Sequence, residues 1–227
     1  MTAQRLAAGA LCAFALAGAA HAQSLAERCA AGVERGDHAL CAAAVAEAPS
    51  DPAIRRLYAQ SLAKAAEYDA SVREYRVVTR LAPSDGRAFY EYGWMLGFVR
   101  RYAEAAAPLE EAIRLRPDHA PSYLVVTIVY QMLKRSGDAF RAARSGADLG
   151  DATAMFDVYS AYLEGIGTPR DDDEAFRWLL RAAEAGHVTA MDRIVAVYLN
   201  GGLHQKQDDS KAEEWAAKAR RARDGKL

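Results

Sequence analysis

The chain has 227 residues, of which 29 are lysine or arginine and 30 are aspartate or glutamate. This near balance excludes a general electrostatic attraction to nucleic acid or to anionic lipid. Alanine is abundant, and the few prolines mark the boundaries of helical patterns, which favours a helical protein over a β-rich one.

Residues 1–22 have the pattern of a cleaved export signal. Arg5 precedes an apolar run from Leu6 to Ala20, and Ala20-His21-Ala22 supplies the small residues that a signal peptidase reads. An apolar run of about 15 residues is too short to span a membrane comfortably, so a membrane anchor is the weaker alternative. We therefore expect cleavage after Ala22 and no membrane insertion of the mature chain.

Residues 23–49 predict an N-terminal capping hairpin closed by a disulfide. Cys12 is lost with the signal, which leaves Cys29 and Cys41 as a pair in an oxidising compartment. Between them, Arg35-Gly36-Asp37 is a turn signal in which Asp37 can cap the next helix. A straight helix would separate the cysteines by ~18 Å, whereas a disulfide spans ~6 Å, so the chain must fold back to join them. Two buried free thiols are the alternative.

A period of 34 residues organises residues 50–149. Pro49-Ser50-Asp51, Pro83-Ser84-Asp85 and Pro117-Asp118 recur at this spacing, and each period contains two stretches of helical apolar pattern. Neither stretch could bury its apolar face alone, so the period predicts stacked helix pairs. Within the first full period, the turn is expected at Glu67-Tyr68-Asp69.

The unit from Gly86 to His119 resembles the tetratricopeptide repeat. The family pattern of a small residue, an aromatic residue, two alanines and a proline is met by Gly93, Tyr102, Ala105, Ala112 and Pro117. The unit before it matches less fully and departs at Ser71 and Val78. Residues from Ala120 to Asp151 form a third, weaker copy.

From Gly150 the period lengthens to 36 or 37 residues. Tyr162 recurs as Tyr198, and Trp178 recurs as Trp215. These spacings, with the segment DDSKAEEWAAKA that begins at Asp208, resemble the Sel-one-like repeat, a lengthened relative of the tetratricopeptide unit. Two such copies occupy residues 150–222, and their repeated tryptophans are expected in the core. The short charged tail from Arg220 to Leu227 is expected to fray, and residues 223–227 are expected to lie beyond the repeats.

Together the two resemblances imply an all-α, right-handed superhelical solenoid of antiparallel helix hairpins, tetratricopeptide-like first and Sel-one-like second. They also imply protein partners and, with the short export signal, a bacterial protein. The expected location is the periplasm or the outside of the cell.

The residues that could carry chemistry form no recognisable catalytic or metal motif. The acidic run Asp171 to Glu174 lacks the alternating ligands of a calcium loop and suits the N-terminus of a helix. The histidines of the mature chain are scattered one to a repeat, at His38, His119, His187 and His204. We therefore predict no enzyme activity, no metal and no cofactor.

The resemblance also implies a binding groove, because the first helices of tetratricopeptide units line a concave surface. The positions that face it correspond here to Arg56, Gln60, Lys64, Arg87, Tyr90, Trp94, Phe98, Leu124, Ile128 and Met132. Such a groove is basic at one end and aromatic to apolar at the other, and would suit an extended peptide or a helix with an acidic end. The alternative is that Tyr90 and Trp94 fill the seam between units as core residues.

The predicted function is that of an exported, non-catalytic scaffold for a protein or peptide partner, with assembly of envelope or secretion complexes as the expected setting. A small periplasmic cell-wall-acting hydrolase with a helical-repeat fold is the alternative. Self-assembly through an exposed repeat end is a third interpretation. The expected state is a monomer or a weak homo-oligomer, without nucleic acid.

Overall fold

The computed structural model describes residues 25–225, which form two compact units, residues 25–99 (unit 1) and residues 100–225 (unit 2). The expected export signal at 1–22 lies outside the described residues. The described residues form twelve α-helices. None of these helices combines the length and the apolar character needed to cross a membrane.

Unit 1 contains five helices, which are α1 (25–35), α2 (His38–Glu47), α3 (Pro52–Lys64), α4 (Tyr68–Leu81) and α5 (Gly86–Phe98). Unit 2 contains seven, which are α6 (Tyr102–Leu115), α7 (Ala120–Met132), α8 (Ser136–Asp148), α9 (Ala152–Glu164), α10 (Asp172–Glu184), α11 (Val188–Asn200) and α12 (Asp209–Arg223). The expected all-α class is confirmed.

The turns of the shorter repeats depend on a left-handed residue that is not glycine. Ala66, Arg100 and Lys134 have φ values of 61°, 63° and 58°, and they are spaced by 34 residues, the period of the sequence. Because Ala66 reverses the chain, Tyr68 is already the first residue of α4. The turn expected at Glu67-Tyr68-Asp69 was therefore placed too late.

Aspartates before the helices act as N-caps, as the sequence predicted. Asp51 accepts hydrogen bonds from the backbone amides of the first turn of α3, and Asp37 does the same for α2. The acidic run begins with Asp171, whose carboxylate accepts from the amide of Glu174, 2.9 Å away. Asp208 caps α12 in the same way, so the two longer repeats share this helix start.

The proline expectation fails at one residue, and the tail expectation fails over the first four residues of the tail. Pro108 lies inside α6 rather than at a helix boundary. At the other end, α12 continues through Arg223, so residues 220–223 of the tail that was expected to fray are helical. The guanidinium of Arg223 donates to the carboxylate of Asp192 on α11 at 2.5 and 2.6 Å, and this contact holds the last turn.

The core of unit 1 joins α1, α2 and α3. Cys29 and Cys41 are both fully buried in it, and their Cα atoms lie 4.3 Å apart because the chain folds back between them. Ser71, which departs from the alanine of the family pattern, donates a hydrogen bond to the carbonyl of Ala59 at 2.8 Å. This buried hydroxyl therefore has an acceptor across the α3–α4 hairpin.

The core of unit 2 contains the two repeated tryptophans, as expected. Trp178 and Trp215 are 3% and 7% exposed. Arg181 lies 3.9 Å from the centre of the Trp178 ring, and Lys218 lies 4.1 Å from that of Trp215. Arg181 stands where the repeat pattern has lysine, and it keeps a cation over the ring.

Candidate binding surfaces

Unit 1 carries an exposed cluster of three aromatic rings, Tyr68, Trp94 and Phe98, which we call the aromatic patch. Trp94 is 43% and Phe98 52% exposed, and their rings stack with centres 5.5 Å apart. They are four residues apart on α5, a spacing that places side chains on one helix face. Tyr68 meets Phe98 edge-on at 5.1 Å. Trp94 therefore lies on the surface and not in the core.

Tyr90, in contrast, is half-buried. Burial raises the pKa of its hydroxyl, and the nearby charge of Glu91 adds to the rise. Part of the Tyr90 side chain therefore packs inside unit 1, while Trp94, one turn later, faces solvent.

The two arginines predicted to form a basic end are paired with carboxylates of the same unit. Arg56 on α3 donates a short hydrogen bond to Asp85, and its Nε lies 3.0 Å from Oε2 of Glu91. Arg87 donates to Oε1 of the same Glu91 at 2.8 Å. Partial burial acts to raise the pKa of Asp85, but the hydrogen bond and charge of Arg56 bring it below its ordinary value. Two cations and two carboxylates thus form a charge-balanced cluster.

The remaining predicted groove residues of unit 1 are polar. Gln60 is half-buried on α3, and Lys64 ends the same helix. The ammonium group of Lys64 donates to the carbonyl of Val33 on α1 at 3.2 Å. Lys64 thus also ties α3 to the capping hairpin.

On α7 of unit 2, two of the three predicted groove residues are exposed. Ile128 is 54% and Met132 48% exposed, one helical turn apart. Leu124 is partly buried and packs against the core of unit 2. The binding role of the ten predicted groove residues stays a prediction.

Unit 2 also contains a cavity of about 300 Å³ that the sequence did not predict. It lies between α7, α8, α9 and the loop at 165–171, with Gln131, Glu164 and Ile166 exposed at its rim. The rings of Phe140 and Tyr162 meet edge-on at 5.3 Å, and Phe140 forms part of the cavity wall.

The loop that closes one side of this cavity depends on glycine. Gly165 ends α9 in the left-handed conformation, with φ 70°. Gly167 has φ 79°, and a Cβ there would lie 2.3 Å from the carbonyl oxygen of Ser136 on α8. Only glycine permits both this conformation and this approach. The seven-residue loop therefore folds back on the preceding hairpin and brings Ile166 to the cavity.

Asp157 on α9 lines this cavity and is the titratable group that the sequence analysis missed. Burial raises its pKa to about 6, and repulsion by the carboxylate of Asp151 adds to the rise. Its sequence signal is a single carboxylate within an apolar stretch from Ala154 to Tyr159. In the next repeat, 36 residues later, the corresponding residue is Arg193.

Two of the described histidines, His187 and His204, serve capping and surface pairing. His187 accepts a hydrogen bond from the amide of Ala190 at the start of α11 and stacks on Phe156, with ring centres 4.6 Å apart. His204 pairs with Asp173 at 3.0 Å. Within residues 25–225, no group of three or more histidine, cysteine or acidic side chains could hold a metal ion.

Short helices, left-handed turn residues at a 34-residue spacing and small residues buried within the hairpins define a helical-repeat protein of the tetratricopeptide type. Residues 152–187 and 195–224 match the model of the Sel1 (Sel-one) repeat family. The C-terminal helix pairs of this chain are therefore Sel1 repeats, as their residues predicted.

Solved structures of repeat proteins share this fold. The pilF protein of Pseudomonas aeruginosa is 17% identical, with a TM-score of 0.66 over 90% of this chain and 92% of its own. A Sel1 repeat protein from Oxalobacter formigenes is 20% identical, with a TM-score of 0.54 over 85% and 96%. YrrB, a TPR protein with an unusual peptide-binding site, is 21% identical, with a TM-score of 0.56 over 81% and 92%. A comparison with curated protein sequences found no match. At these identities the likeness establishes the fold.

Proposed function

We propose that the protein is an exported, non-catalytic scaffold that holds a protein or peptide partner on the aromatic patch of unit 1. The observation that carries the proposal is the mutual contact of Tyr68, Trp94 and Phe98 at an exposed surface. Aromatic anchors contribute most to binding energy at protein interfaces. Repeats of the tetratricopeptide and Sel1 kinds are in general protein-interaction modules.

The charge-balanced cluster changes the partner chemistry that we propose. Because Arg56 and Arg87 are already paired, an acidic segment of a partner would have to displace Asp85 or Glu91 to reach them. An apolar or aromatic side chain needs no such exchange to cover Trp94. The proposed ligand is therefore a peptide or helix with apolar anchors rather than an acidic end.

Export is proposed from the pattern of residues 1–22, and the close approach of Cys29 and Cys41 supports a disulfide that an oxidising compartment would preserve. Assembly of envelope or secretion complexes is the proposed setting. The alternative of a cell-wall-acting hydrolase has no observation in its favour among residues 25–225.

The test is quantitative capture from envelope extract with the mature chain, its Trp94→Ala/Phe98→Ala variant and a Leu199→Ala control. Leu199 is 48% exposed on α11, so its replacement removes a similar apolar surface elsewhere. We expect the double variant to lose its partners at least about tenfold while circular dichroism stays unchanged, because each lost aromatic anchor costs about 1–2 kcal/mol. Equal recovery by all three proteins would show that the aromatic patch is not the binding surface.

A further inference from the structure

We propose that the cavity between α7, α8 and α9 binds a basic side chain, lysine or arginine, that an extended peptide presents. This second binding site lies wholly within unit 2. It does not depend on the aromatic patch of unit 1, so either site can exist without the other.

The charge in the cavity is negative and has no counter-ion among the described residues. Asp157 lies on its wall, and Glu164, two helical turns further along α9, lies at the rim. The lining residues contributed by α7 and α8 are all uncharged. Asp151, at the start of α9, repels Asp157 and adds to the same negative charge.

Asp157 also lacks hydrogen-bond donors within the described part of the chain. Three hydroxyls line the same cavity, those of Thr127, Ser136 and Ser160, and none of them is bonded to Asp157. Thr127 donates to the carbonyl of Tyr123 at 2.7 Å, and Ser160 donates to the carbonyl of Phe156 at 3.1 Å. A half-buried carboxylate without a donor or a cation is costly, and an incoming cation would remove that cost.

The walls suit the stem of a basic side chain. Phe140, Ala139, Ala143 and Ala161 present apolar surface beside Asp157. Lysine and arginine bury their methylene stems along such surface while the charged end pairs with a carboxylate. At the rim, the exposed amide of Gln131 offers a donor and an acceptor for the backbone of an extended peptide. A bare divalent cation fits less well, because one wall carboxylate supplies too few oxygen ligands.

The test uses isothermal titration of the mature chain with two blocked peptides, acetyl-Ala-Leu-Lys-Leu-Ala-amide and the same peptide with norleucine in place of lysine. Norleucine keeps the aliphatic stem and removes the charge. We expect the lysine peptide to bind at least about tenfold more tightly, since a charge-assisted hydrogen bond to a carboxylate is of that order. Equal affinities, or no binding of either peptide, would overturn the proposal.

Variants then locate the site. Asp157→Asn should reduce the affinity for the lysine peptide about tenfold, and Glu164→Gln, at the rim, should reduce it less. Glu213→Gln, an exposed carboxylate on α12, is the matched control and should bind as the wild type does. Trp94→Ala should also bind the peptide normally, which separates this site from the aromatic patch. If Glu213→Gln lowered the affinity for the lysine peptide as much as Asp157→Asn does, binding would be only a general attraction to negative charge.

The pH dependence gives a second measurement that does not require a variant. Affinity for the lysine peptide should fall between pH 7.5 and pH 5, because Asp157 takes up a proton with a pKa of about 6 while lysine stays charged. Carboxylates with ordinary pKa values, near 4, would leave the affinity nearly constant over this range. A constant affinity would therefore exclude Asp157 as the group that binds the cation.

Discussion

Glu91 in unit 1 and Asp157 in unit 2 are both carboxylates on the first helix of a repeat, and both are withdrawn from solvent, yet only Glu91 has cations beside it. Arg56 and Arg87 contact Glu91, whose side chain is 14% exposed. Asp157 faces a cavity instead. The comparison shows how one fold offers two kinds of surface. Where arginines lie beside the carboxylate its charge is balanced, and where the space stays open the carboxylate keeps an unpaired charge.

The turns account for part of this difference. Between α3 and α4 the chain reverses in three residues, with Ala66 left-handed. Between α9 and α10 the loop at 165–171 has room to fold back on α8 and to wall the cavity. The longer loop therefore supplies one wall of the cavity that Asp157 lines.

The largest effect is expected from Gly167→Ala. This change would disturb the loop that walls the cavity beside Asp157. The added Cβ would meet the carbonyl of Ser136 at 2.3 Å, in a residue whose φ is 79°. We expect the free energy of unfolding to fall by about 3 kcal/mol, measured by urea denaturation. Gly186→Ala is the control, because Gly186 has φ 93° but open space around it, and should cost about 1 kcal/mol. If both variants lost the same free energy of unfolding, the close approach of Gly167 to Ser136 would contribute nothing to the cost.

The next effect concerns Cys29 and Cys41, whose proposed crosslink would stabilise unit 1 alone. Replacement of both by serine, or reduction of the wild type, should lower the free energy of unfolding by about 2–3 kcal/mol, because the unfolded chain regains the freedom of a short closed loop. Reductant should not change the serine variant. Thiol titration of the denatured mature protein should find no free thiol, and two reactive thiols would disprove the crosslink.

Arg56→Gln tests whether the pairing of Glu91 with arginines stabilises unit 1. Without Arg56, Glu91 stays largely buried with one cation fewer, so the free energy of unfolding should fall by about 2 kcal/mol in urea titrations. Arg114→Gln is the control, since Arg114 and Glu111 form an exposed, solvent-screened pair whose loss should change the stability little. If the two variants lose the same small amount, the cluster is no more stabilising than a surface ion pair.

Asp157→Asn should have the smallest effect on stability, and in the opposite direction. The pKa of Asp157 is about 6 in the folded protein against 3.8 ordinarily, so the folded state binds this proton more tightly. This group therefore destabilises the wild type above pH 6, and the penalty disappears as the pH falls toward 4. At pH 7.5 we expect the variant to be more stable by about 1 kcal/mol, after allowance for partial solvent exposure.

Thermal or urea denaturation at pH 7.5 and pH 4 measures this difference, with Glu213→Gln as the control. A variant that is less stable than the wild type at both pH values would mean that Asp157 has a stabilising partner. Charge would then be balanced in both units.

Features that repeat along the sequence could be predicted, because the same residue type recurs at the same position of each copy. The period, the aspartate N-caps and the buried Trp178 and Trp215 follow from local pattern. Pairing between repeats could not be predicted in the same way. Arg56 reaches Asp85 and Glu91 only because α3 packs near the start of α5.

The cavity was missed for a related physical reason. It exists because a loop folds onto the preceding hairpin, and the repeat pattern specifies the glycines of that loop without specifying what they approach. Gly167 signals a special backbone conformation, but its contact with Ser136 becomes visible only in three dimensions. Asp157 then gains its raised pKa from that enclosure.

The guanidinium of Arg56 also restricts how the number of repeats can change. The residue one period later is Tyr90, so the pairing of Arg56 with Asp85 and Glu91 belongs to this junction and is not copied along the chain. Insertion of a consensus repeat between α4 and α5 would separate Arg56 from Asp85 and Glu91 and leave Glu91 with one cation fewer. Such an extended protein should unfold at lower urea concentration than the parent unless Glu91 is replaced as well. Duplication of repeats is therefore easier elsewhere in the chain than at this position.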